Sequence, residues 1–511
     1  MTLKRRLLMI LAIALLAGGL YGTGRLGMTV QRDENEEVEE EFLFGHRDTL
    51  YLWYTDEALT DYLNSVVVSY SEYQDDVRVV PVYTSGLEYL ETINQASLQT
   101  KEVPDLYIVS NDSLEKAYLA GLASEVRIPQ GVLPMAEVLP QTAVRAVTYM
   151  DKQIGYPFYF ETSCFLYNRT YLEDWARSQL EMLRDQEMAE ESQEQAESGD
   201  VEEEVTGEAT VVDISDEAVA AKMEEALPQT IDDILAFADV YDAPEQVEAV
   251  FKWDVSDIFY NYFFVGNYID VGGVSGDRSD SIYIYNEEAI RCLRVYQDLN
   301  QFFSIDTKEI SYDGVLQDFI DGKIVYTVVT SDALSRIEKA REEGDFAYEY
   351  GMSMLPDVSE QLQSSSLSVT QCVAVNGYST QKQKANDFAV YLTEYAAQDL
   401  YTRTGKLPVY AGGTTYDNPN AAAFLEEYQN SVPMPKMIET SNFWVELEIA
   451  FAKIWMGDDA NDSLRALSEQ IMAQVLGEAY TEEYIDVPEP VEEGEEDLEE
   501  DGSSQDAGEE E

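Results

Sequence analysis

The chain has 511 residues, 32 of them basic and 100 acidic, for a formal charge of −68. Phosphate binding needs a cationic face, so this balance excludes nucleic acid as a partner, and it excludes anionic lipid headgroups beyond the first few residues. A hydrophobic share of 45% supports a large core, and the single histidine, His46, argues against Ser-His-Asp, Cys-His and multi-His metal sites.

The chain opens with Lys4, Arg5 and Arg6, followed by an uncharged apolar run from Leu7 to Gly24. A basic cluster before such a run is an export signal. Residues 1–30 therefore read as a cleaved signal peptide or an uncleaved signal anchor, and the body lies outside the cytoplasm. No cysteine follows the run, which closes the lipid-anchored route. An acidic linker, 31–46, comes next, with seven acids in 33–41.

From Thr49 to Tyr54 an aromatic run predicts a strand. Asp56 then precedes apolar residues at helical spacing, from Leu59 to Tyr70. Val77–Val82 predicts a second strand, Tyr89–Ala96 a helix, and Leu106–Val109 a third strand. Asn111, Asp112 and Ser113 supply caps for a helix ending at Gly121. Strands alternating with helices imply an α/β fold with a mostly parallel sheet, and ligands sit beyond the carboxyl ends of such strands.

After Asp151 two strands are predicted, Gln153–Pro157 and Ser163–Tyr167, around a spacer at 158–162. Residues 185–225 hold 16 acids and one base, and residues 482–511 hold 16 acids and no base. Both stretches lack the apolar residues that offset ordering entropy, so a disordered acidic insert and a disordered acidic tail, 481–511, are expected. An aromatic cluster runs from Trp253 through Tyr262 to Tyr268. Glu287–Phe303 and Val315–Phe319 predict helices, and Ile324–Val329 a strand. Further strands are expected at Tyr350–Leu355 and Val369–Asn376, and helices at Lys384–Thr393, Phe443–Met456 and Asp462–Val475. Cys164, Cys292 and Cys372 read as buried hydrophobes, with room for one bridge. Asp458–Ser463 lacks the ligand spacing of a calcium loop and reads as a helix cap.

Short signals in this order resemble the extracellular solute-binding proteins of the maltose- and oligosaccharide-type ABC importers. They are the strand holding Trp53, Pro104–Asp105, Gly121–Leu122, Gly155–Pro157 with Glu161 and Tyr167–Asn168, and Pro228–Thr230. Phe319–Lys323, Gly351–Pro356, Ala385–Leu392, Gly405–Val409 and Phe443–Trp444 complete the series. The resemblance implies a two-lobe periplasmic-binding-protein fold of type II kind, each lobe a sheet flanked by helices, joined by hinge crossings. One lobe would be 47–158 with 371–412, and the other 159–370 with 413–480. It implies a solute, a carbohydrate foremost, captured between the lobes and delivered to ABC transporter membrane subunits, with no cofactor and no catalysis. Two departures bear on the ligand. Asp332 and Val109 stand where maltodextrin binders carry tryptophans.

Sugars are held by carboxylates that accept hydroxyl hydrogen bonds and by aromatic faces that cover C–H surfaces. Trp444 is the candidate stacking residue, or a core residue. Glu161 is a candidate carboxylate or a hinge acceptor, and Asp112 a carboxylate or a cap. Tyr54, Asp56 and Glu57 sit at the first strand end, with an N-cap as the bland role. Asp332 and Tyr262 complete the set. The site is expected to be negative and to lack evident Arg or Lys. A membrane-anchored ligand sensor and a glycan hydrolase are the alternatives.

Overall fold

The computed structural model describes residues 47–98, 103–197, 212–410, 412, 416 and 418–488. The expected export signal and acidic linker with His46, the middle of the acidic insert and the residues beyond 488 lie outside them. The chain divides into two compact units. One is 1–49 with 71–78, whose described part holds the first residues of a strand and a turn in which the Asp48 N–H donates to the Asp76 carbonyl at 3.0 Å. The other is 50–70 with 79–511, and it holds the features below.

Eleven strands build the two main sheets. They are β1 (Asp48–Tyr54), β2 (Val77–Tyr83), β3 (Leu106–Ser110), β4 (Tyr156–Thr162), β5 (Cys164–Asn168) and β6 (Ala249–Phe251), then β7 (Ile324–Val329), β8 (Tyr350–Ser353), β9 (Leu367–Val375), β10 (Leu407–Pro408) and β11 (Val432–Pro433). The first sheet runs β10-β4-β9-β3-β1-β2 with β11 beside β9, and the second runs β8-β5-β7-β6. Both are mixed, where alternating strands and helices predicted mostly parallel ones. β1 pairs β3 and β7 pairs β6 in parallel, as βαβ units require. The strands that pass from one sheet to the other enter against that direction: β9 is antiparallel to β3 and β4, and β5 to β7 and β8.

Only Ser163 separates β4 from β5, so the chain changes sheets within one residue. The stretch expected as a spacer, Phe158–Thr162, is instead the body of β4. Its residues pack on both faces, which erases the alternation that marks a half-exposed strand. The six residues of β7 are likewise all buried.

Helices cover the sheets for local reasons. Helix Thr60–Tyr73 turns Tyr62, Leu63, Val66 and Tyr70 inward, and Tyr70 meets Phe388 edge-on at 4.9 Å. Helix Ile231–Val240 begins with a capping box made by Thr230 and Asp233. Helix Glu287–Phe303 starts at Asn286, whose side chain accepts the Ala289 N–H, and it buries Ile290, Leu293 and Tyr296. Each fully buried Leu, Ile or Phe contributes roughly 1.5–3 kcal/mol.

The acidic stretches are more ordered than composition predicted. Helix Arg169–Glu197 runs into the insert, about 44 Å at 1.5 Å per residue. Glu, Gln, Met, Ala and Arg are strong helix formers, and a reading from charge alone overlooks that. On the far side of the insert, helix Asp216–Glu224 is capped by Ser215 and buries Val219 and Met223 in the core with Leu172 and Ala176. Residues 481–488 of the stretch expected as a disordered tail also pack on the body. Val487 is buried, Arg294 donates to the Val487 and Pro488 carbonyls, and Asn461 donates to the Ile485 carbonyl. All three cysteines are buried and unbridged.

Candidate functional site

The polar centre lies where β4 leaves the first sheet. Glu161, one residue before the end of β4, accepts the Ser331 backbone N–H at 2.8 Å. Ser331 precedes helix Asp332–Glu343, so the carboxylate sits at the positive end of that helix. Burial nevertheless raises the Glu161 carboxyl above its ordinary range; Lys406 opposes that rise and Asp332 adds to it. Glu161 therefore makes the hinge hydrogen bond and keeps acceptor capacity beyond it.

On the first-sheet side, Asp56 caps the turn Glu57–Leu59 through the Ala58 N–H at 3.0 Å. The same carboxylate pairs with Lys406 at 3.1 Å. Lys406 lies 5.7 Å from the centre of the Tyr159 ring. Burial pushes the Tyr159 hydroxyl far up, and the charges of Asp56 and Glu161 push the same way. On the second-sheet side, Asp332 accepts hydroxyl bonds from Tyr312 and Thr330, both at 2.6 Å, and faces Arg336 at 3.3 Å. Tyr260 stacks on Tyr312 with centroids 4.9 Å apart and planes 13° from parallel. Two ion pairs, Asp56 with Lys406 and Asp332 with Arg336, thus accompany Glu161, which is held by the Ser331 N–H.

Two further features carry candidate residues. A cavity of about 570 Å³ opens at the carboxyl ends of β1 and β3, lined by Thr55, Glu88, Tyr89, Val109, Ser110 and Gln371 among others. The α/β rule places ligands at such ends. Asp112 stands half-buried beside it and accepts a hydrogen bond from the Ser110 hydroxyl. The expected capping by Asn111–Ser113 is not made. These residues form a short turn of their own, and Asn111 instead donates to the Met434 carbonyl and accepts the Thr370 N–H. The other is Trp444, half-buried in the first turn of helix Phe443–Trp455. Its ring is edge-on to Tyr262 at 5.3 Å and to Phe443 at 5.0 Å.

Two candidates are corrected. Tyr54 and Tyr262 are each 2% exposed. Tyr54 donates its hydroxyl to Thr60 and packs on Tyr83, because its position in β1 turns it into the core. Tyr262 backs Trp444 from within the second core. Glu57 is exposed at the rim. The expectation of a site without cations is also corrected: Lys406 and Arg336 both stand in it, each against a carboxylate. Lys406 was visible only as part of the Gly405–Val409 signal. Tyr159, Tyr312 and Arg336 carry no local signal, because their partners lie far along the chain. Asp459 accepts the Asp462 N–H at 2.8 Å, a helix cap as expected. Among the described residues no group of three or more His, Cys, Asp or Glu is placed to hold a metal ion.

Residues 66–423 match the model of the bacterial extracellular solute-binding protein family. The chain belongs to that family. A solute-binding protein is a capture device and not an enzyme. The extracellular solute-binding protein from Staphylococcus aureus, solved in complex with maltose, is similar at 17% identity over 84% of this chain and 98% of that one, with a TM-score of 0.65. The maltose-binding periplasmic protein MalE from Listeria monocytogenes, also with maltose, is similar at 18% identity over 85% and 100%, with a TM-score of 0.63. MalX from Streptococcus pneumoniae in complex with maltopentaose is similar at 16% identity over 83% and 99%, with a TM-score of 0.57. These likenesses establish the two-lobe fold of the solute-binding protein. No match was found among curated proteins.

Proposed function

We propose that this solute-binding protein captures a carbohydrate between its lobes and delivers it to the membrane subunits of an ABC importer. The observation that carries the reading is the row Asp56, Lys406, Glu161 and Asp332 at the sheet crossing, with a polar cavity opening at the ends of β1 and β3. Oriented carboxylates accept sugar hydroxyls, and an aromatic face covers the C–H side of the ring. The solved structures of like fold hold maltose or maltopentaose, which supports the ligand class.

In this reading the lobes are 47–158 with 371–412 and 159–370 with 413–480. Trp444, Glu161, Asp112, Asp56, Glu57 and Asp332 face the solute, while Tyr54 and Tyr262 stand behind them. The test is a thermal-shift screen of mono- and oligosaccharides against peptides and cations, since a ligand bound only by the native state raises Tm. A rise with maltose or another oligosaccharide supports the reading. A rise only with a peptide or a cation refutes it.

A second reading is favoured by Lys4–Arg6 and the apolar run to Gly24: the protein stays anchored in the membrane through this segment and serves as a ligand sensor. N-terminal sequencing of the mature chain separates the two. A start within about 20–35 means cleavage; an intact start in the membrane fraction means an anchor.

A further inference from the structure

Lys436 is a lysine with 1% of its surface exposed, in the segment that leads from β11 to helix Phe443–Trp455. Its ammonium donates to two backbone carbonyls that belong to different parts of the fold. One is the Arg145 carbonyl, at 3.0 Å, in the last turn of helix Gln141–Val147, which packs on β4 and β11 of the first sheet. The other is the Ser275 carbonyl, in the loop between Val271 and Ile282. Val271 and Ile284, which flank that loop, belong to the second core. One amine thus ties an element of each lobe.

The surroundings repeat the arrangement. The Asp277 carboxylate, on the same second-lobe loop, accepts the Met150 N–H at 2.6 Å. Met150 (φ 48°) and Asp151 (φ 62°) form the left-handed tip of the hairpin joining Thr148–Tyr149 to Lys152–Gln153. Glu115, on first-lobe helix Leu114–Leu119, accepts the Tyr149 hydroxyl and the Ile438 N–H. Gly276 (φ 63°) lets the loop touch the segment, because a Cβ there would lie 2.7 Å from the Pro435 Cα.

We propose that Lys436 is a titratable interlobe lock, whose loss of a proton favours the packed arrangement of helix Gln141–Val147 and loop 272–281 on its amine. Burial holds the amine down to about 8, against an ordinary 10.5, while Asp277, Cys372 and Glu115 oppose that fall. Those three, with Tyr149 and Glu439 near Glu115, are the titratable groups facing it; the Arg145 side chain points to solvent. Burial raises the Cys372 thiol, and burial with Glu115 raises the Tyr149 hydroxyl to about 12, so both keep their protons below pH 10.

The sign follows from linkage. In an arrangement where water reaches Lys436, its proton is retained to about pH 10.5; in the packed one it leaves near 8. Between these values the packed arrangement gains with rising pH, by about thirtyfold in population ratio from pH 7 to 9.5. At neutral pH the buried ammonium opposes packing, so the lock is poised to release. This inference rests on the two-lobe fold and not on the identity of the solute.

The test is spin-label distance measurement on the intact chain, with labels at Leu119→Cys and Val240→Cys, both highly exposed positions. The parent distribution should narrow toward one separation as pH rises from 7 to 9.5, and Lys436→Met should show the same distribution at both values. A parent distribution that ignores pH overturns the proposal, as does a pH response that persists in Lys436→Met. Should that variant fail to fold, Lys436→Gln keeps a neutral donor and must abolish the response, and the parent titration decides by itself.

Discussion

Replacing Trp444 by alanine separates its packing, which its ring contacts show, from the sugar stacking proposed for it. The indole is half-buried and leans edge-on against Tyr262 and Phe443 at 5.3 and 5.0 Å. Such pairs are worth about 0.5–1.5 kcal/mol each, so Trp444→Ala should cost about 1–3 kcal/mol of stability and lower Tm by a few degrees. The remaining exposed face is free to cover a sugar ring, which adds about 1–2 kcal/mol to binding. Losing it should therefore raise Kd for maltose, or the best sugar of the screen, by about five- to thirtyfold. Calorimetric titration well below the variant's Tm keeps lost fold from imitating lost affinity. Trp444→Phe should recover most of the stability and part of the affinity. A folded Trp444→Ala whose Kd stays within about twofold of the parent would refute the argument: the ring would then be a core residue with an idle exposed face.

Three further outcomes follow from the geometry. Asp318 is only 22% exposed and pairs with Lys252 at 2.7 Å; burial raises its carboxyl, but Lys252 and Lys323 outweigh it and hold it below the ordinary range. Asp318→Asn should destabilise by about 1–2 kcal/mol near pH 7, and in denaturant titrations the difference should begin to shrink below about pH 4, the ordinary carboxylate value, and vanish only once pH has fallen through the depressed value of the parent carboxyl. Truncation after Pro488 should leave Tm unchanged, while truncation after Tyr484 removes the buried Val487 and the Ile485 bonds and should cost about 2–4 kcal/mol by calorimetry. Glu161→Gln keeps an acceptor for the Ser331 N–H but no charge. The parent loses stability as pH rises through the elevated value of its carboxyl, so the variant's Tm relative to the parent should climb as pH rises from about 4, the ordinary carboxylate value, through that elevated value, while sugar affinity falls.

Helix Glu287–Phe303 and strand Ile324–Val329 were legible to the residue. The first joins an Asn cap to an uninterrupted 3.6-residue apolar period, and the second is a short run of β-branched and aromatic residues. Phe158–Thr162 was not, since a crossing strand buried on both faces has no period to read. The acidic stretches misled in the opposite direction. Charge density speaks to solvation, but Val219, Met223 and Val487 needed only a few apolar atoms to anchor their segments. Among the candidates, Asp56 and Trp444 could be named from recognisable element ends, and Glu161 and Asp332 only from the family resemblance. Their partners could not, because Lys406, Ser331 and Tyr312 reach them from 350, 170 and 20 residues away in sequence.

Those partners decide what kind of solute the site favours. Lys406 and Arg336 bring two positive charges to a row that also holds Asp56, Glu161, Asp313 and Asp332, and both cations are already engaged. Lys406 binds Asp56 at 3.1 Å, and Arg336 binds Asp313 at 2.7 Å and Asp332 at 3.3 Å. An anionic solute would have to displace a carboxylate from its cation and leave that carboxylate beside Glu161, whose own charge is already disfavoured by burial. A neutral polyol meets the opposite situation. Asp332 is oriented by Tyr312 and Thr330, and Glu161 by Ser331, so acceptors are fixed before the solute arrives and little side-chain entropy remains to be lost. With Asp56 and Asp332 each held by a cation and Glu161 by a backbone N–H, the row as proposed would suit hydroxyl donors better than an anion.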